Sequence, residues 1–390
     1  MSNWRDILTR QMQDDPPRLT IDEAIILYNE SDLNHLRQAA FNRKKQIHSP
    51  EQVTYLIDRN INYGNACTIN CQFCSFYVPP NSENAYLQTK EQISARIREL
   101  EDIGGSRILM QGGVDPNLEI EWYENLLSYL QINHPSIHLD CFSPIEIEGI
   151  AEVCGMNTLD VLSRLKNSGL HGLPGGGAEM LVDDVRLDIS PKKGGAGNWL
   201  KIMSEAHSIG LITSATNVIG FGETNKQRIL HMNQIRELQD SSIKQGLQGF
   251  TSFISWTAQL ENNSFGKKHK GKILPIQPPE YLRHVAISRL FLDNIDHIQA
   301  SWLTMGIDIA QLALFGGADD IGSTMMEENV VSAAGTTKVL CTEEELQYAI
   351  TKAGFKPKRR DSEYNLLETP KLVIEAHQYI SPPMIQYNVL

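Results

Sequence analysis

The sequence predicts an α/β fold, a (β/α)8 barrel of the TIM type with N-terminal helices ahead of it and a C-terminal extension behind. Two observations carry this. From Ile61 onward short β-like runs alternate with helical segments, and the unit repeats seven or eight times over about 260 residues, the size of such a barrel. Each run ends in a glycine-rich or polar loop, so chemistry-bearing residues collect at strand C-termini, on one rim. An open doubly wound parallel sheet is the second architecture that the same alternation permits.

In order along the chain, residues 1–54 read as a helical extension. "TIDEAIILYNE" opens with Thr20 and has Glu23 three residues on, the capping-box spacing, and "DLNHLRQAAFNRKKQ" continues in the same style to about Thr54. The barrel is assigned to residues 55–335. Its first strand is "NINYGN". The helix in "EQISARIRELEDIG" follows, with Ile93, Ile97, Leu100 and Ile103 on one face and Thr89 with Gln92 as a second capping box. "SRILMQGG", "SIHLDCFSP", "LHGLPGGGAE", "LITSATNVIGFGE", "GFTSFISW" and "IQASWLTMG" read as strands with their loops. "EWYENLLSYL", "TLDVLSRLKNSG", "NWLKIMSEAHSIG", "NKQRILHMNQIRELQD", "EYLRHVAISRLFLDNI" and "IAQLALFGG" read as the helices between and after them. Residues 336–390 are assigned as an extension packing on the barrel; nothing after about Leu366 is informative.

Hydrophobic residues make up 41% of the 390, enough for a large core. The net charge is -12 and the pI about 5.4, which argues against a nucleic-acid partner. The dense basic runs, "GKKHKGK" (266–272) and "KPKRR" (356–360), read as solvated loops. No signal pattern opens the chain and no run approaches the roughly 18 apolar residues of a membrane helix, so no membrane partner and a cytoplasmic location are expected. In that compartment six cysteines do not form a disulfide framework.

The cysteines are unevenly placed. Cys67, Cys71 and Cys74 fall within eight residues of "NACTINCQFCSFYVPP", while Cys141, Cys154 and Cys341 are scattered. The cluster follows the first barrel strand and so sits at the C-terminal mouth. Three thiolates at this spacing can hold three irons of a [4Fe–4S] cube and leave the fourth open to a substrate or cofactor. The rival readings are a structural zinc site and three unrelated core thiols. Structural zinc takes four ligands, and His48 and Cys141, the nearest candidates, are distant in sequence. Thr68, Asn70, Gln72 and Ser75 make the segment too polar for a core strand.

"CTINCQFC" resembles the C-x3-C-x2-C signature of the radical S-adenosylmethionine (SAM) superfamily, including an aromatic residue, Phe73, before the last cysteine. The resemblance implies one [4Fe–4S] cluster on Cys67, Cys71 and Cys74, with SAM chelated at the open iron and cleaved by one electron to a 5′-deoxyadenosyl radical. It implies a reducing partner such as flavodoxin or ferredoxin. Gly112 and Gly113 in "MQGG" resemble the glycine motif at the SAM amino group. Glu179, closing "PGGGAE", resembles a carboxylate on the SAM ribose or amine. Arg186 is a candidate for the methionine carboxylate, Ser143 and Tyr77 are further SAM candidates, and "NVIGFGE" resembles the segment bordering adenine. Singly, glycine clusters mark turns and Glu179 reads as a surface charge; together they share one rim with the cysteines.

Within the superfamily, "VTYLIDRNINYGNACTINCQFCSFY", "GGSRILMQGG", "FSPIEI", "GLPGGGAE" and "DDIGSTMMEENVVSAAG" resemble the dehypoxanthine futalosine cyclases of menaquinone biosynthesis, over roughly Val53 to Tyr364. The resemblance implies hydrogen abstraction at ribose C4′ of dehypoxanthine futalosine and carbon–carbon bond formation to its benzoate ring. By position Asn217, Ser323 and Thr324 are substrate-binding candidates, and Asp320 or Glu327 is a base or hydroxyl acceptor. Helix capping after "DDIG" is the bland reading of Ser323 and Thr324, and core filling that of Met325 and Met326. Two loops depart from the branch: "GFGE" carries Phe221 where histidine is usual, and "SWTAQLENNSFG" lacks the expected prolines. The rivals are aminofutalosine synthase, biotin-synthase-like sulfur insertion, which wants more cysteines on strands, and a non-catalytic metal-binding scaffold.

Overall fold

The computed structural model describes residues 3–270, 272, 274–327, 329–335 and 340–372. Ten strands form one sheet, β1 (Gln52–Leu56), β2 (Asp58–Asn62), β3 (Arg107–Gln111), β4 (His138–Cys141), β5 (Gly172–Leu173), β6 (Ile212–Ile219), β7 (Phe250–Thr257), β8 (His297–Gln299), β9 (Asp320–Ser323) and β10 (Lys356–Arg359). Every pairing is parallel, with β3 to β9 following one another in chain order. β1 and β2 are one run of chain interrupted only at Ile57; β1 pairs with β9, and β2 with β3. The seam is bonded across the interruption, with Ser106 N–H donating to Ile57 O (3.2 Å) and Thr324 N–H to Leu56 O (3.1 Å). The sheet therefore returns on itself, with β1–β2 as one stave and β3 to β9 as the other seven.

The N-terminal segment is helical as read: α1 (Trp4–Gln11), α2 (Ile21–Glu30) and α3 (Leu33–Ile47), with the Thr20–Glu23 capping box formed. The Thr89–Gln92 box also forms, at the head of the helix Lys90–Asp102. α2 and α3 pack on the barrel helix Pro278–Phe291, where Tyr28 Oη lies 2.9 Å from His284 Nδ1 and Arg283 donates to Ser31 O at 2.8 Å. No described helix is long and apolar enough to cross a membrane.

Four elements depart from the sequence reading. Residues 52–56 are strand, not the end of a helix: buried Val53 and Tyr55 alternate with half-buried Gln52 and Thr54, the period of a strand. "DIGS" is strand β9, too short and too rich in Asp and Gly to show as one. The "PIEIEG" segment lies in a helix, Pro144–Cys154, with Ser143 as its cap. "KPKRR" is not a free loop: its first four residues form β10 beside β1, and Arg360 turns under the barrel. The tail at 373–390 lies outside the described residues.

The inward-facing positions mix polar with apolar side chains. Asn60 and Asn62 on β2, Ser214 and Thr216 on β6, Ser252 on β7 and Gln299 on β8 all line the interior, where many barrels stack Val, Ile and Leu. Apolar side chains such as Ile61, Ile108, Leu139, Ala215 and Phe253 belong instead to the fully buried core cluster. The barrel keeps a cavity at its centre.

Candidate active site

The loop after β2 carries the three cysteines and is pinned from three sides. Cys67 N–H donates to Val78 O (2.9 Å), Thr68 N–H to Val114 O (3.0 Å) and Gln72 N–H to Ile189 O (3.0 Å). Gly113 is needed for this approach, because a Cβ there would lie 2.0 Å from Ala66 O and 2.8 Å from Cys67 Cβ. All three thiols are half-buried. Burial pushes Cys71 and Cys74 up, against the pull of the Lys193 ammonium. The Tyr77 phenol is raised by burial and by the charges of all three cysteines. A mononuclear zinc would draw sulfurs to within about 4 Å of one another, given Zn–S near 2.3 Å. Among the described residues, the triple of His, Cys, Asp or Glu ligand atoms that converges within 4.8 Å is His48, His297 and Asp319, with no cysteine among them. The three thiol sulfurs do not all lie within 4.8 Å of one another.

Glu179 stands beside them on the loop after β5, buried and in a left-handed conformation (φ 39°). Its Oε1 accepts from Lys193 Nζ at 2.7 Å; its Oε2 has no hydrogen-bond donor, although Arg186 Nη1 is 3.7 Å away. Burial alone would lower the Lys193 ammonium, but the Cys71 and Glu179 charges outweigh it and hold it raised. Lys193 Nζ also lies 5.2 Å from the centre of the Phe73 ring. Phe73 in turn packs on Phe221 (5.2 Å), and Phe221 on Phe265 (5.5 Å). The two loops that depart from the branch pattern thus meet in one aromatic cluster over the cysteine motif.

From Cys74, Phe73 and Glu179 a cavity of about 320 Å³ runs down the barrel to Arg107, Asp140, Arg360, Ser362 and Tyr364. Leu109, Leu173, Ile254, Trp256, Leu303 and Met325 line part of its wall. The floor is a buried charge network. Arg107 pairs with Asp58 and Asp140, Arg360 holds Asp320 with both Nε and Nη2, and Arg360 stacks on Tyr364 at 3.8 Å. Four lining atoms have no hydrogen-bond partner: Glu179 Oε2 at the top, and Asn60 Oδ1, Arg107 Nε and Tyr364 Oη further down.

Comparison with known proteins fits this arrangement. Residues 61–235 match the radical SAM superfamily, and residues 247–373 match the CofH/MqnC C-terminal region. Cyclic dehypoxanthine futalosine synthase of Halalkalibacterium halodurans is 42% identical over 90% of this chain and 92% of its own; that of Streptomyces coelicolor is 37% identical over 90% and 86%. This chain belongs to the radical SAM superfamily, in its CofH/MqnC group. A 5-amino-6-(D-ribitylamino)uracil–L-tyrosine 4-hydroxyphenyl transferase of Methanococcoides burtonii is 35% identical over 80% of this chain and 86% of its own. Among solved structures the fold matches HydG, a maturase of the [FeFe]-hydrogenase (TM-score 0.71, 17% identity, 91% of this chain and 76% of that one). It also matches methylornithine synthase, PylB (0.67, 18%, 90% and 97%).

A radical SAM protein uses a [4Fe–4S] cluster and SAM, and the residues present suit both. The motif supplies three thiols and no fourth ligand. The orphaned Glu179 Oε2 is a buried acceptor, costly to leave unpaired, and SAM offers an ammonium group and two ribose hydroxyls to it.

Not every residue picked from the sequence meets at this site. Cys67, Cys71, Cys74, Tyr77, Gly113 and Glu179 do, and Ser323 lines the cavity below them. Gly112 N–H is committed to Glu146 Oε1 (3.0 Å), and Ser143 Oγ donates to Glu146 Oε2 (2.7 Å) while capping its helix. Arg186 donates to Gly177 O, Ala178 O and Gly194 O, so it braces the "PGGGAE" loop from behind. Four residues expected at substrate contact or catalysis are engaged elsewhere in this structure. Asn217 faces away from the cavity, with Nδ2 3.0 Å from His284 Nε2 in the helix layer; its neighbours Thr216 and Val218 line the cavity, as strand alternation requires. Thr324 Oγ1 bonds both Asp58 N–H and Asp58 O (3.1 Å each) and closes the barrel seam. Asp320 accepts from Arg360, Thr54 Oγ1 (2.6 Å) and Gly322 N–H (2.8 Å), so both of its oxygens are engaged in the barrel floor. Glu327 pairs with Arg59 and Arg96 and is absent from the cavity lining.

The sequence reading also missed residues. Lys193, in "SPKKGG", carries no local motif and was not singled out. Glu146 is fully buried, and burial raises it to about 7 against donors from Ser143, Gly112 and Tyr63. It ties "MQGG" to the loop after β4, and its spacing from Ser143, three residues, was the available signal. Arg107, Arg360 and Tyr364 come together only through barrel closure.

Proposed function

We propose that this protein is a cyclic dehypoxanthine futalosine synthase, joining ribose C4′ of dehypoxanthine futalosine to its benzoate ring in menaquinone biosynthesis. The observation that carries the reading is the 42% identity to such a synthase across 92% of its length, above the 35% to the hydroxyphenyl transferase. Bound together, cluster and SAM supply a carbon radical that takes a hydrogen atom from an unactivated C–H bond. The chain's part is placement and exclusion of water. Glu179 orients SAM through Oε2 and is itself fixed by Lys193. Phe73, Phe221 and Phe265 close the mouth over the thiols. Below, Leu109, Leu173, Ile254 and Trp256 offer an apolar wall to the aromatic ring. Asn60 Oδ1, Arg107 Nε and Tyr364 Oη offer an acceptor and two donors to the sugar hydroxyls. A one-electron donor such as flavodoxin or ferredoxin serves the cluster, in the reducing cytoplasm.

The assay is anaerobic incubation of reconstituted enzyme, reductant and SAM with each of two substrate sets. Conversion of dehypoxanthine futalosine to a product two hydrogens lighter supports the reading. Turnover of tyrosine with 5-amino-6-(D-ribitylamino)uracil, and none of dehypoxanthine futalosine, overturns it.

A further inference from the structure

The run "GKKHKGK" is out of character in a chain of net charge -12. Residues 262–279 contain Lys267, Lys268, Lys270 and Lys272 and no Asp or Glu. All four lysines are exposed, and among the described residues an ion pair forms only at Lys268, with Asp188 (3.1 Å). The structure docks this segment on the cysteine loop itself. At the start of the short helix Ser264–Lys268, Phe265 N–H (2.9 Å) and Ser264 Oγ (2.8 Å) both donate to the carbonyl of Gln72, which lies between Cys71 and Cys74. Ser75 Oγ donates to Asn262 O (3.1 Å). A fifth exposed lysine, Lys192, donates to Thr68 O (3.0 Å) from the other side. Basic side chains on two segments therefore flank the cysteine loop.

We propose that Lys192, Lys267, Lys268 and Lys270 form the docking surface for an acidic one-electron carrier protein. Two physical requirements meet here. Electron transfer falls steeply with distance, so the carrier must seat where the cluster ligands come closest to solvent. A carrier with an acidic face is repelled by the chain as a whole, at -12, and needs a local field of opposite sign to be captured and oriented. At this surface one electron leaves the carrier and passes to the cluster; no bond is made and no proton moves. This rests on the radical SAM assignment and is independent of the substrate.

The experiment uses the reconstituted full-length protein and flavodoxin hydroquinone, with cluster bleaching followed by stopped flow. Lys267→Glu/Lys268→Glu/Lys270→Glu is compared with wild type and with Lys352→Glu, a reversal on an exposed lysine in the C-terminal extension. The expected result is a bimolecular rate about 10- to 100-fold lower for the triple variant at low ionic strength, with the gap closing as salt screens the field. Lys352→Glu should match wild type. Iron content, and SAM cleavage driven by excess dithionite, should be unchanged in all three. Equal flavodoxin rates and equal salt dependence in the triple variant and wild type overturn the docking surface. Loss of dithionite-driven SAM cleavage in wild type overturns the radical SAM reading instead.

Discussion

Replacing Glu179 by glutamine keeps the shape of the side chain and removes its charge. Oε1 is held by Lys193 at 2.7 Å, and Oε2, buried beside the cysteine loop, has no donor until a ligand brings one. A hydrogen bond to a charged group contributes about 1.5–3 kcal/mol, which corresponds to roughly ten- to hundredfold in affinity at 1.4 kcal/mol per decade. Glu179→Gln is therefore expected to weaken SAM binding by that factor, measured by equilibrium dialysis or calorimetry on anaerobically reconstituted protein. Iron content should remain normal, because no ligand of the cluster has changed. Glu179→Asp keeps the charge but withdraws it, and should fall between the two. Unchanged SAM affinity in Glu179→Gln would refute the reasoning and leave Glu179 as the counter-charge of Lys193 alone.

Three further outcomes are expected. Alanine at Cys67, Cys71 or Cys74 should abolish 5′-deoxyadenosine formation and lower iron content. Alanine at Cys154, whose sulfur accepts from Ile120 N–H at 3.3 Å outside the site, should leave both intact. Asp320→Ala strands the Arg360 guanidinium in the barrel floor and should cost about 3–5 kcal/mol of stability in denaturant unfolding; full stability with loss of turnover would restore Asp320 as a base. Glu146 has a folded-state pKa of about 7 against an ordinary 4.5, so it binds protons more tightly when folded. Its contribution is intact below pH 4.5 and is lost as pH rises to about 7, at most about 3 kcal/mol. Glu146→Gln should therefore gain stability relative to wild type between pH 5 and pH 8, and a pH-independent difference would contradict the buried carboxylate.

The parts of the fold that sequence made legible are those with strong local signals. The helix at Lys90–Asp102 announced itself by its capping box and apolar spacing, and the strands at β3 and β6 by runs ending in glycine. β9 and β10 gave no such signal, because "DIGS" and "KPKR" pair only by closing a sheet that spans the chain. The cysteines were legible because a cluster motif is local. Asn217 and Thr216 show the limit: adjacent residues of one strand face opposite layers, and nothing in "SATNVIG" says which face is inside. Asp320 was misread for a related reason. An acid at a strand end looks available until Arg360, forty residues on, is folded against it.

The central claim is that SAM-derived radical chemistry in this cavity begins at ribose C4′. Dehypoxanthine futalosine carrying deuterium at C4′ tests it directly, with 5′-deoxyadenosine and the nucleoside product analysed by mass spectrometry after anaerobic turnover. The account predicts one deuterium in 5′-deoxyadenosine and a cyclised product lacking it. SAM cleavage with unlabelled 5′-deoxyadenosine, or a product that retains the deuterium, would contradict it.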